Sequence, residues 1–222
     1  MHIELKHIAK RYRGVQVLRD VNLTARSGQC IGILGSNGSG KSTLLSILAG
    51  VQDCQGGSFL FDGHDLFADP ARRSALVGYV PQGTPLMEEL SARDNLLLWY
   101  DKKALDQELQ GGVLAMLGIG EFLHRPVAKL SGGMKKRLSI GCAMAKRPPI
   151  LLLDEPAAAL DLACKQAIVA YLRRYKRSGG ILLLTTHDIM ELELCDAWYI
   201  LKDGVLEPFD YDGDVQRLVS KL

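Results

Sequence analysis

The run "GSNGSGKST", Gly35 to Thr43, follows directly on the apolar stretch "CIGIL". A loop so poor in side chains has little to pack with; what it can offer is backbone N–H groups. Gly35, Gly40, Lys41 and Ser42 stand at the fixed positions of the pattern G-x-x-x-x-G-K-[ST]. Glycines at these places let Gly35, Ser36, Asn37, Gly38, Ser39 and Gly40 curl into a nest of donors sized for phosphate oxygens. Lys41 then reaches the outer phosphates, and the Ser42 hydroxyl suits Mg²⁺. Ser42 and Thr43 lead into "KSTLLSILAG", a helix whose N-terminal dipole adds positive potential at the same spot. The competing reading is a Gly/Ser turn that happens to precede a lysine. The strand before, the helix after and the complete spacing weigh against it.

Outward from this loop the pattern is α/β. Residues His2 to Ser27 alternate apolar and polar, as strands of a small antiparallel sheet do, in "IELKHI" and "VQVLRDVNL". "GGSFLFDG" reads as a hairpin strand and "ALVGYVPQ" as another, ending at Pro81. Between Ser91 and Ala145 the character is helical. "SARDNLLLWY" opens with Ser91 and Asp94 at capping-box-like spacing, and "LQGGVLAMLGI" is a weaker helix broken by glycines. "GGMKKRLSIGCAMAKR" sets Met134, Leu138, Cys142 and Ala145 on one face, with "MKKR" as a solvated face. "ILLLD" and "ILLLTT" are short and apolar throughout, as buried parallel strands are, with a helix from about Asp161 to Lys176 between them. "AWYILKDG" closes the sheet, and "GDVQRLVSKL" is at most a short helix. The expected fold is a phosphate-loop NTPase core of mainly parallel sheet, with an N-terminal antiparallel β subdomain and a helical insertion at roughly 83–131. All of it forms a single domain, 1–222.

The bulk numbers narrow the options. A chain of 222 residues buries a substantial core. A net charge of +2 and a pI near 8.2 argue against a dedicated nucleic-acid surface, although "KRYR", Lys10 to Arg13, remains a local patch. The five cysteines are scattered without a C-x-x-C pair, which suits a reduced cytosol and small buried apolar roles. No leader is apparent at the start, and no apolar run approaches the ~20 residues of a membrane span.

Four further elements line up in order with the phosphate loop. "ILLLDEP" ends an apolar strand in adjacent acids: Asp154 is placed to hold Mg²⁺ through water, and Glu155 to take a proton from an attacking water. "LSGGM", Leu130 to Met134, opens a helix. "TTHD" puts His187 at the end of a buried strand, and Gln82 lies in the "PQG" bend. This set resembles the ATP-binding subunit of ABC transporters over nearly the whole chain. The resemblance implies ATP and Mg²⁺ as ligands, Tyr12 as the adenine-stacking aromatic and Gln82 as the loop glutamine touching Mg²⁺ and the attacking water. It implies Glu155 as catalytic base and His187 as the switch histidine near the γ-phosphate. Ser131, Gly132 and Gly133 would contact the nucleotide of a second ATP-binding subunit, in a head-to-tail dimer that closes with two-fold symmetry. Tyr12 on a half-exposed strand also has a plain packing reading.

Two positions depart from the family pattern. Met134 stands where glutamine is usual and cannot supply its amide hydrogen bonds. Ala158 stands where a serine is common before "LD". The resemblance implies an ATPase that drives integral membrane transporter subunits, cytoplasmic and bound to the membrane only through them. The compact length and "LSGGMKKRLSI" point to export, and neither names the cargo. The alternative is a soluble ABC-type ATPase acting on nucleic acid or ribosomes. Against it, members of that kind fuse two units or insert long coiled coils, and the interval from loop to signature here is short and without heptads.

Overall fold

The computed structural model describes residues 1–158 and 160–221. Its strands are β1 His2–Tyr12, β2 Val15–Arg26, β3 Cys30–Leu34, β4 Gly56–Phe61, β5 His64–Asp65, β6 Val77–Val80, β7 Ile150–Asp154, β8 Ile181–Thr185, β9 Ala197–Lys202 and β10 Val205–Phe209. Its helices are α1 Lys41–Ala49, α2 Pro70–Leu76, α3 Ala92–Leu97, α4 Lys102–Gly111, α5 Val113–Met116, α6 Gly132–Ala143, α7 Leu162–Arg177, α8 Ile189–Leu192 and α9 Val215–Lys221. The strands form one sheet in the order β5-β4-β1-β2-β10-β9-β3-β8-β7-β6. β9, β3, β8, β7 and β6 run parallel, and β2, β1, β4 and β5 pair antiparallel.

The parallel half is buried on both faces, and every residue of β3, β7 and β8 is inaccessible. Alternation along each strand sends its side chains into two separate cores. Leu151, Leu153, Leu182 and Leu184 join Leu96, Leu138, Ile140 and Ile168 of the helical side. Ile150, Leu152, Ile181 and Leu183 meet Leu44, Leu45, Ile47 and Leu48 of α1 on the other. Each such side chain contributes about 1.5–3 kcal/mol relative to exposure. The antiparallel half shows the in–out burial that its sequence announces.

The helical segment lies between β6 and β7. Ser91 caps α3 by accepting from Asp94 N–H at 3.1 Å, while its hydroxyl donates to Asp94 Oδ2 at 2.5 Å. Gly112 separates α4 from α5.

Three expectations change. The "AWYILKDG" strand does not close the sheet: β9 lies inside it, between β3 and β10, and β6 is the edge. β10 escapes a sequence reading because Pro208 demotes its short run. Helix α6 does not present one apolar face, since it packs against α3, α7 and β6 together. Gly133, Lys136, Leu138, Ser139, Ile140 and Gly141 are all buried, so "MKKR" is not a solvated face.

Gly78 of β6 is a close-approach position. A Cβ there would lie 2.8 Å from Pro148 Cγ and 2.9 Å from the Ala143 carbonyl oxygen. Gly78→Ala is therefore expected to cost about 1–3 kcal/mol by overpacking, read as a lower urea midpoint at unchanged slope.

Candidate functional site

The phosphate loop bridges β3 and α1. Gly35 has φ 153, and a Cβ would fall 2.6 Å from Ser39 Oγ and 2.7 Å from the Leu201 carbonyl oxygen, so only glycine fits the turn. No side chain caps α1, which leaves its first-turn N–H groups available to an anion. Lys41 is buried and donates to the carbonyls of Gly35 at 2.6 Å and Ser36 at 3.1 Å. Burial lowers its pKa, while Glu155 and then Asp154 hold it up. A polar cavity of about 400 Å³ opens here, lined by Asn37, Gly38, Gly40, Lys41, Ser42, Thr43, Gln82 and Glu155.

The acids arrive from the neighbouring strand tips. Asp154 sits opposite Thr185 in the β7–β8 ladder, and the Thr185 hydroxyl donates to Asp154 Oδ1 at 2.6 Å. The same hydroxyl oxygen accepts from Glu155 N–H at 3.1 Å. Glu155 has φ 47, the left-handed region that a residue with a Cβ occupies only when its surroundings impose it. Its carboxylate is thereby turned toward the cavity, where Gln82 Nε2 donates to Oε2 at 3.0 Å. His187 Nε2 lies 3.9 Å from Oε1. Gln82 and Glu155 thus meet at the phosphate cavity, while His187 lines an adjoining pocket and reaches the pair through Glu155.

The structure does not bring every expected residue to this place. Ser131 caps α6 by accepting from Met134 N–H at 3.3 Å. Ser131 and Gly132 are exposed, and neither they nor Gly133 line the cavity. A Cβ on Gly133 would lie 2.5 Å from Cys164 Sγ, so α7 packs directly on the start of α6. Tyr12 ends β1 with 39% of its surface exposed. Its hydroxyl donates to Gln52, and the Lys10 ammonium stands 5.0 Å from its ring centre.

Several functional neighbours carried no recognisable signal in the sequence. Thr185 and Thr186 read as strand residues, yet both hold the site. The Thr186 hydroxyl donates to Glu191 Oε2 and accepts from Asp188 N–H at 2.8 Å. Glu191 on α8 is buried, and its Oε1 has no partner among the described residues. Lys165 pairs with Asp188 at 2.5 Å beside it.

Burial pushes the Glu191 carboxyl from its ordinary 4.5 up to about 7; the Thr186 hydrogen bond opposes the shift and the Asp188 charge adds to it. In the fold, then, Glu191 keeps its proton through a range in which the unfolded chain has lost it. The contribution to stability is therefore undiminished below about 4.5 and falls as pH rises to about 7. Glu191→Gln removes that dependence. Urea unfolding from pH 4.5 to 7.5 should show the variant gaining on the native chain by roughly 3 kcal/mol. A constant difference would mean that Glu191 is ionised in the fold throughout.

Comparison with known proteins gives one answer. A family model described as ABC transporter matches residues 18–158. An Azorhizobium caulinodans protein named "Probable ABC transporter ATP-binding protein" is 34% identical over 221 residues, covering 96% of this chain and 77% of its own length. "Nod factor export ATP-binding protein I" of Sinorhizobium fredii is 35% identical, with 91% and 60% covered. "Sulfate/thiosulfate import ATP-binding protein CysA" of Bacillus cereus is 34% identical, with 93% and 60% covered. The chain thus spans three fifths of the length of these last two relatives. A cassette solved as a dimer in a post-hydrolysis state, bound to ADP and Pi, matches with a TM-score of 0.82 at 28% identity, over 96% of this chain and 100% of that one. With the loop, the acid pair and the signature helix in their places, the chain belongs to the ABC transporter family, as its nucleotide-binding ATPase domain.

Proposed function

We propose that this domain binds ATP with Mg²⁺ at the Gly35–Thr43 loop and hydrolyses it with Glu155 as general base, to drive a membrane transporter. The observation that carries the reading is Glu155, half-buried, its N–H bonded to Thr185 and its carboxylate held between Gln82 and His187 at the phosphate cavity. The residues present fit the ligands. Ser39 Oγ is buried in the loop without a partner among the described residues, and Lys41 is folded onto carbonyls that a triphosphate would compete with. No group of three metal-binding side chains occurs among the described residues. Mg²⁺ is held by few protein oxygens and completes its shell with phosphates and water. Ser42, Asp154 and Gln82 would hold it, and it would neutralise charge developing on the phosphoryl oxygens. Glu155 would draw the proton from a water that Gln82 orients. As the water oxygen bonds the γ-phosphorus, the bond from that phosphorus to the β-phosphate oxygen breaks and ADP leaves, with His187 assigned to the γ-phosphate.

Two surfaces carry the partners in this reading. Ser131, Gly132 and Gly133 stand outside their own phosphate cavity, which supports their use on the nucleotide of a second subunit in a head-to-tail dimer. The similar cassette bound to ADP and Pi was solved as a dimer. The second surface is a groove of about 490 Å³ whose walls include Pro85, Met87, Leu98, Trp99, Cys142 and Pro148. Leu98, Trp99 and Met87 expose 56, 61 and 53% of their surface there, and Asn95 fixes Met87 by bonding both its N–H and its carbonyl at 2.9 and 3.0 Å. The groove is assigned to a helix of the membrane subunit. Leu86, half-buried, lines the same groove while also packing on the core. No helix among the described residues is long and apolar enough to cross a membrane. Tyr12 is assigned to the adenine and the working location to the cytoplasmic membrane surface. Direction is assigned as export on the signature run "LSGGMKKRLSI" alone, because relatives named for export and for import match equally well. ATP-driven accumulation of cargo inside inverted vesicles is the measurement that decides it.

Glu155→Gln keeps the side-chain size but cannot take a proton. Hydrolysis is expected to fall by about 10²–10⁴-fold with ATP binding retained, and sedimentation with ATP and Mg²⁺ should show dimer. Retained turnover would remove Glu155 from the role. For the groove, Met87→Asp with Trp99→Asp should abolish co-purification with the membrane subunit at unchanged ATP affinity.

A further inference from the structure

Lys136 lies on α6, five residues beyond Ser131, and exposes only 4% of its surface. A buried ammonium needs partners, or it loses its proton. Its partners are two backbone carbonyls, Pro81 at 2.9 Å and Gln82 at 3.0 Å. These belong to the bend where the chain leaves β6 for the helical segment. The β6–β7 ladder ends at Val80 opposite Leu153, so neither carbonyl has a strand to bond. Lys136 takes the place of that missing strand. Gln82, whose backbone it grips, reaches across to Glu155 at 3.0 Å.

We propose that Lys136 is a positioning residue for hydrolysis, tying the signature helix to the backbone of Gln82 so that the Gln82 amide meets Glu155 only while α6 is seated. The inference rests on the roles given above to Gln82 and Glu155. Three features support a function beyond filling space. The grip spans two elements of different kind, a helix of the inserted segment and a bend of the sheet edge. Its far end lies on the helix that starts with Ser131, so displacement of α6 by a partner subunit would move Gln82 directly. Finally, the ammonium feels Asp154, Glu191 and Glu155, in that order, all of which favour its charged form against burial. Withdrawing α6 would therefore take positive charge from the acids at the same moment as it takes Gln82 away.

The test is a double-mutant cycle on the whole chain. Lys136→Met keeps the buried stem and removes the donors. It should leave ATP affinity and the thermal midpoint near native values and lower kcat on the order of 10–100-fold. Gln82→Ala should lower kcat as well, and the double variant should be no slower than the slower single one. Lys136→Arg, which keeps charge and donors, should restore most of the turnover lost in the methionine variant. Unchanged kcat in Lys136→Met, or additive losses in the double variant, would overturn the positioning role alone. Full turnover in Gln82→Ala would overturn both it and the role assigned to Gln82. Should the methionine variant not fold, Lys136→Gln, one bond too short to reach both carbonyls, enters the same cycle with the same deciding outcomes.

Discussion

The parallel register of β7 on β8 sets Asp154 opposite Thr185, and the rest of the site is built from that pair. One threonine hydroxyl donates to the aspartate and accepts from the backbone of the next residue, Glu155. A slip by one residue would send Asp154 to the opposite face and Leu153 to its place. The slip is opposed along the whole ladder, because Leu151 and Leu153 feed one core while Ile150 and Leu152 feed the other. Packing on both faces of the sheet therefore fixes the position of the Asp154 carboxylate at the strand tip.

Charge is concentrated at that edge for a related reason. Parallel strands end together, and the loops that leave them carry the polar groups the strands cannot. Lys41, Lys136, Asp154 and Glu191 are all buried within this region. Three of them find carbonyls or hydroxyls as partners, and Glu191 satisfies one oxygen only. Such burial is tolerated because hydrogen bonds and neighbouring opposite charges offset desolvation. Elsewhere the interior is chiefly aliphatic, so the two cores supply stability and the edge supplies chemistry.

Much of this was legible in the sequence, and the reasons are particular. "CIGIL", "ILLLD" and "ILLLT" announce double-sided burial because no polar residue interrupts them before the tip. Gly35 through Ser42 announce a phosphate loop because only that spacing lets the backbone approach an anion. What stayed hidden was every role that depends on a neighbour distant in sequence. Lys136 looks like one of a solvated run, since nothing in "MKKR" reveals a sheet edge 54 residues upstream with an unpaired carbonyl. Trp99 and Leu98 look like helix core until α3 ends at Leu97 and leaves them outside. β10 is hidden by its proline. Glu191 reads as a surface acid because its burial comes from the turn after β8.

The left-handed backbone at Glu155 has a consequence for how this domain can vary. A side chain held at φ 47 stores strain, on the order of 1–3 kcal/mol, and glycine would occupy the same conformation without it. With Glu155 in its proposed role as base, the position sets durability against purpose: the residue that would make the fold most robust there is one that would leave it inert. A library sorted for thermal resistance alone would drift toward glycine at residue 155, while one sorted for turnover would hold glutamate and accept the softer protein.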